Sequence, residues 1–199
     1  MSTQLALFEA PAPATPEGFA YRPDLITPQE EQALAARFET LPFKPYDFRG
    51  YQGARQTVSF GWKYGPDGKT VDRVDPIPDF LREVRAKAAA FAGLDPEALT
   101  QALVIQYPPG APIGWHRDRP AFKEVIGVSL LTPAPLRLRL ERPGGGWDRV
   151  TQVLEPRSVY LLRGAARHQW QHSIPPLDAL RYSITFRTRN EKWRHFSEA

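Results

Sequence analysis

Apolar positions along this chain keep two rhythms, and the place where one gives way to the other divides the fold. The first rhythm is helical. Thr27-Pro28-Gln29-Glu30 opens a predicted helix: Thr27 can cap it, Pro28 suits the first helical position and Glu30 completes a capping box. Leu34 and Phe38, four apart, share one face of it. A second helix is predicted over residues 79–92, where Phe80, Val84, Ala88 and Phe91 form a stripe that ends at Gly93. Between the helices, residues 42–78 are rich in Gly, aromatic and basic side chains, and a flap or a pair of short strands is expected there.

From about residue 101 the period shortens to two. Short β-rich runs cover residues 102–107, 125–131, 136–140, 150–154, 159–162 and 182–186. Clusters such as Pro108-Pro109-Gly110 and Pro143-Gly144-Gly145-Gly146 separate them. Two helices followed by many short strands predict an α+β fold, a double-stranded β-helix (jelly roll) with two N-terminal helices packed on one sheet.

Composition adds boundaries. Pro11, Pro13 and Pro16 alternate with Ala and Thr, so residues 1–20 are expected to form a flexible tail. That leaves one domain over residues 21–199, with 42–78 as its flap. No run approaches the roughly 18 apolar residues of a membrane span, and no export signal stands at the N-terminus, so the cytoplasm is the expected address. The chain has no cysteine, which excludes disulfides and thiolate chemistry and leaves histidines and carboxylates for any metal. A net charge of +4 favours an anionic partner, nucleic acid first.

Gly114-Trp115-His116-Arg117-Asp118 contains His-x-Asp. On a strand, residues i and i+2 project from one face, so His116 and Asp118 can bind one ion together. A third ligand must come from elsewhere, and His168 and His172 both fit the strand parity. Two histidines and one carboxylate on one side of a metal form the ligand set of non-haem iron(II) oxygenases, with open positions opposite for co-substrate and oxygen. The stretch Arg181 to Arg187 alternates: Arg181, Ser183, Thr185 and Arg187 face one way, and Tyr182, Ile184 and Phe186 the other. If the apolar set is core, the first set lines a barrel interior with two guanidiniums. Buried cations there call for an anion, and arginine grips carboxylates with two parallel hydrogen bonds.

Together these motifs resemble the AlkB-like 2-oxoglutarate dioxygenases, which oxidatively dealkylate nucleobases. The family signature is His-x-Asp, a distal His and Arg-x5-Arg, here His116/Asp118, His172 and Arg181/Arg187. The similarity of Trp170-Gln171-His172 and Thr185-Phe186-Arg187 to the family's closing region selects His172 over His168. It extends over about residues 20–190. The resemblance implies Fe(II) on His116, Asp118 and His172. It implies 2-oxoglutarate held by Tyr107, Arg181, Thr185 and Arg187, and O2 as oxidant. It also implies hydroxylation of an N-alkyl carbon, with succinate, an aldehyde and the repaired base as products. Ile105 and Ser183 stand where many members carry Asn, and Pro120 where an acidic residue is common.

On the substrate side, Arg55, Phe60, Trp62 and Tyr64 are the expected contacts. The three aromatics share a strand parity suited to stacking a base, and Arg55, with Lys63, offers cations for phosphate. Arg137 and Arg139, between leucines, are a phosphate track or a solvated face. Gln4, Leu5, Leu7 and Phe8 resemble the short peptide by which bacterial repair and replication proteins dock on the sliding clamp. The reading is oxidative dealkylation of nucleic acid, DNA before RNA. The alternatives are an oxygenase of the same fold acting on a protein or small molecule, and a non-catalytic nucleic-acid-binding module.

Overall fold

A computed structural model describes residues 15–48, 51–65, 67 and 69–197. Gln4, Leu5, Leu7 and Phe8 lie outside the described residues. The chain forms the expected jelly roll of two facing sheets. The larger sheet runs in the order β1 (Phe19–Arg22), β11 (Val159–Leu162), β8 (Phe122–Leu130), β13 (Arg181–Arg189), β6 (Leu99–Tyr107), β3 (Tyr51–Phe60) and β2 (Lys44–Phe48). The smaller runs β10 (Trp147–Leu154), β9 (Ala134–Glu141), β12 (Gln171–Ile174) and β7 (Ile113–His116). A third sheet joins β14 (Phe196–Ser197), β5 (Val71–Arg73) and β4 (Trp62–Tyr64).

Both predicted helices form and cover one face of the larger sheet. In α1 (Pro28–Phe38) the capping box is complete: the Glu30 amide donates to Thr27 Oγ1 and the Thr27 amide to Glu30 Oε2. Leu34 and Phe38 are buried, and Phe38 meets Tyr182 edge-on at 5.3 Å. The second stripe divides into a 3-10 turn, Asp79–Leu81, and α2 (Arg82–Ala92), closed by Gly93 at φ +66°. Tyr182, Ile184 and Phe186 pack under these helices, as their parity requires. Arg181, Ser183, Thr185 and Arg187 therefore face the second sheet and line the cavity between the sheets. Leu136, Leu138, Leu154, Leu162 and Ile174 form the apolar packing there.

Of the two forms expected for residues 42–78, the paired strands are present as β2 and β3, but they join the larger sheet instead of forming a separate flap. Much of the segment is structural sheet, since β3 pairs with β6 from Gln56↔Gln106 to Phe60↔Ala102. The strand rhythm then stops at Gly61 (φ +76°), where a Cβ would sit 2.1 Å from the Thr100 carbonyl oxygen. That break resets the side-chain parity. Phe60 enters the helix-side core, and Trp62 enters a separate cluster with Val71, Ala121 and Phe122. The expected shared stacking face of Phe60, Trp62 and Tyr64 is thus not formed. The tail also ends slightly early, because β1 begins at Phe19 and pairs with β11. Among the described residues no helix is long and apolar enough to cross a membrane.

Candidate metal centre and the cavity around it

Antiparallel pairing of β7 with β12 sets His116 directly opposite His172, with ring centroids 4.2 Å apart. Asp118 is not on a strand, which corrects the i, i+2 argument. It lies two residues beyond the end of β7, in the loop leading to β8. The loop is aimed by Arg167, at the end of the short helix α3 (Gly164–His168). The buried Arg167 guanidinium donates to the carbonyl oxygens of Asp118 (3.0 Å), Arg119 (2.7 Å) and Phe122 (2.8 Å). Arg117 Nε returns the contact to the Gln169 carbonyl. Tyr64 also serves this loop, because its hydroxyl accepts from the Ala121 amide at 3.2 Å. Burial pushes that phenol up to about 12.

The ligand atoms of His116, Asp118 and His172 all lie within 4.8 Å of one another, so one ion can meet all three. His116 Nδ1 donates to the Gly114 carbonyl at 2.8 Å, which leaves Nε2 with its lone pair for a metal. Burial, then the neighbouring His116, pushes His172 down to about 3, so it is a neutral ligand at physiological pH. Burial opposes ionisation of Asp118. The Arg187 guanidinium, with His172, His116 and Arg167 behind it, overrides that and holds the carboxyl below the ordinary range. His168 is exposed at the end of α3, outside this cluster.

The two arginines of β13 have different partners. Arg187 is already engaged: Nη2 reaches Asp118 Oδ1 at 3.2 Å and Nη1 donates to Gln101 Oε1 at 2.8 Å. Arg181 is 1% exposed, lies over the Tyr107 ring at 4.9 Å and gives Nε to Ser129 Oγ at 3.2 Å. Its Nη1 is buried without a hydrogen-bond partner. A buried cationic donor left open costs free energy unless an anion meets it. Together, the three-ligand cluster and this orphaned donor fit a metal-bound dicarboxylate.

The sequence reading missed Tyr160, which lines the cavity, and Arg167, which holds the loop of Asp118. Tyr160 reaches the cavity across β8, and its ring lies where a Cβ on Gly127 would stand, 2.2 Å away. A glycine inside the apolar run from Val125 to Leu130 was the available signal, since strand glycines mark close approach. Arg167 gave no signal, being one arginine among many. A larger groove between α1 and α2, lined by Ile26, Leu34, Phe80 and Val84, holds no comparable cluster.

Residues 18–187 match the family model of the 2OG-Fe(II) oxygenase superfamily. The chain belongs to that superfamily. It is similar to AlkB homologues, and the superfamily implies Fe(II), 2-oxoglutarate and O2. The oxygenase is 30% identical over 160 residues to the bovine (Bos taurus) alpha-ketoglutarate-dependent dioxygenase alkB homolog 7, mitochondrial, covering 77% of this chain and 65% of that one. It is 28% identical over 171 residues to the Mus musculus tRNA (carboxymethyluridine(34)-5-O)-methyltransferase ALKBH8, covering 82% of this chain and 25% of the other. The oxygenase thus spans less than two thirds of either relative. The solved structure of OsALKBH1 shares the fold, with a TM-score of 0.67 at 16% identity over 88% of this chain and 98% of that one.

Proposed function

We propose that this oxygenase removes N-alkyl groups from nucleobases in a polynucleotide, DNA before RNA. The observation that carries the proposal is Arg55. This cation on β3 adjoins Gln56, which pairs with Gln106 beside the cavity-lining Tyr107, and its positive charge is felt at His116. The basic chain, pI about 9.5, and the tRNA named for the ALKBH8 relative support a polynucleotide substrate, and the preference for DNA rests on the resemblance of the N-terminal peptide to a clamp-binding motif.

His116, Asp118 and His172 would hold the iron, and Arg181, its plane against Tyr107, would take the distal carboxylate of 2-oxoglutarate through its open Nη1. Bound iron, 2-oxoglutarate and O2 together supply the oxidising power to hydroxylate a C–H bond, with succinate and CO2 as co-products. Thr185 and Tyr160 line the cavity, and the apolar layer behind them keeps water from the reacting carbon. Arg187 keeps Asp118 ionised as a ligand. Hydroxylation converts N–CH3 to N–CH2OH, which splits into N–H and formaldehyde.

The burial of Phe60 and Trp62 removes two of the four expected substrate contacts and favours a protein or small molecule as the second reading. Succinate release is the test, measured with methylated single-stranded DNA, methylated RNA and no polymer. The fastest release is expected with methylated DNA; release indifferent to any polymer would sink the nucleic-acid reading. The same reading assigns Gln4, Leu5, Leu7 and Phe8 to a bacterial sliding clamp, with Leu7 and Phe8 as apolar anchors on a tether. A peptide of residues 1–12 should bind the clamp in calorimetry, and its Leu7→Ala/Phe8→Ala form should not.

A further inference from the structure

The outer face of the smaller sheet carries arginines and indoles that the cavity chemistry does not use. Side chains alternate along a strand, so Trp115 backs His116, and Arg137 and Arg139 flank the inward Leu138 on β9. Arg149 on β10 is exposed and pairs across from Arg139. The Arg139 guanidinium lies between two rings, 4.3 Å from the Trp115 centroid and 4.0 Å from that of Trp147. Arg137 lies 5.4 Å over Trp115. Each turns Nε to β12: Arg139 donates to Gln171 Oε1 at 2.7 Å, and Arg137 to Ser173 Oγ at 3.2 Å. Among the described residues their terminal nitrogens have no protein partner, and none is sealed from water.

We propose that this face is a phosphate track for the single-stranded polynucleotide whose base enters the cavity, a surface additional to the cavity itself. The inference rests on the nucleic-acid reading above. Stacking and the Nε bonds fix the guanidinium planes, so little side-chain freedom remains to be lost when a phosphate binds the open Nη edges. Arg137 and Arg139 stand about 6.8 Å apart along β9, presenting successive forks rather than one point charge. β7 is an edge strand, so a chain crossing it passes from the cavity side to Trp115 and then to the arginines. Glu141, the acidic residue of this face on β9, sits at its far end opposite Trp147. An acidic peptide would also satisfy the charge, and competition by polyglutamate is the arm of the test that separates it.

Fluorescence anisotropy of labelled single-stranded DNA and RNA across a salt series tests the track, using the full chain and its Arg137→Gln/Arg149→Gln variant. Single strands lose roughly 0.7 in the slope of log affinity against log salt for each phosphate contact. The double variant should therefore lose about 1.4 in slope and show a raised KM for a long methylated oligonucleotide. Its KM for a methylated trinucleotide and for 2-oxoglutarate should stay at the wild-type values. Lysine at both positions should keep the slope. If the double variant fails to fold, Arg149→Gln, at an exposed position, carries the test with half the change. An unchanged slope beside polymer-dependent wild-type turnover overturns the track alone, as does equal displacement of the oligonucleotide by polyglutamate. Failure of the wild-type chain to bind either polymer overturns the track and the nucleic-acid reading together.

Discussion

Arg181 and Arg187 occupy one face of one strand, yet the molecule uses them differently. Arg187 is neutralised inside the protein by Asp118, whereas Arg181 keeps a buried nitrogen open. Removing the partner of a buried charge typically costs about 3–5 kcal/mol, which corresponds to roughly two to three decades in affinity. Arg181→Met should accordingly raise the KM for 2-oxoglutarate by that factor while Mn(II) affinity, measured by calorimetry, holds. An unchanged KM would mean that the distal carboxylate lies elsewhere. Strand alternation makes the shared face of these arginines legible in the sequence, and the burial of Tyr182, Ile184 and Phe186 matches it. Their division of labour is not legible there, because it depends on where the loop carrying Asp118 returns. Nor does alternation separate His172 from His168: both satisfy it, and only the pairing of β12 with β7 brings one of them to His116.

At the scale of elements, the centre joins two short strands to a loop, and the loop is the part with least intrinsic order. β7 and β12 hold the histidines through backbone pairing, but Asp118 depends on a helix of five residues whose Arg167 binds three carbonyl oxygens. A lysine keeps the charge but not the planar fork that spans those carbonyls. Residues that orient metal ligands typically govern about 10–100-fold in metal affinity. Arg167→Lys is expected to weaken Mn(II) binding by about that factor in calorimetry, with the KM for 2-oxoglutarate at saturating metal nearly unchanged. Unaltered metal affinity would show that the loop holds itself. The same scale explains why the flap departs from its expected form. Periodicity runs on through Phe60, Trp62 and Tyr64, but the backbone does not, because Gly61 turns the chain against Thr100. A residue pattern records side-chain alternation only while the strand lasts. The helices are easier to read, since Thr27, Pro28, Glu30 and Gly93 mark their ends by local hydrogen bonding and dihedral preference.

Across the whole molecule the larger sheet separates two kinds of work. On one face α1 and α2 bury Leu34, Phe38, Val84 and Ala88. On the other lie the cavity, the ligands and the arginines. The strand between them is the same one: Ile184 points to the helices and Ser183 and Thr185 to the cavity. Protein interiors are close-packed and transmit strain, so the separation is a physical claim that can fail. Leu34 is the place to test it, being 6% exposed, on the helix layer and absent from the cavity lining. Truncating a buried leucine to alanine removes about 2–5 kcal/mol of stability, through lost burial and the void left behind. Leu34→Ala should therefore unfold at a clearly lower urea concentration with an unchanged denaturant slope. At low temperature, where the variant remains folded, its KM for 2-oxoglutarate and its Mn(II) affinity should match those of the parent. A severalfold change in either constant would show that the helix layer sets the spacing of β13 against the smaller sheet, making it part of the site rather than its support.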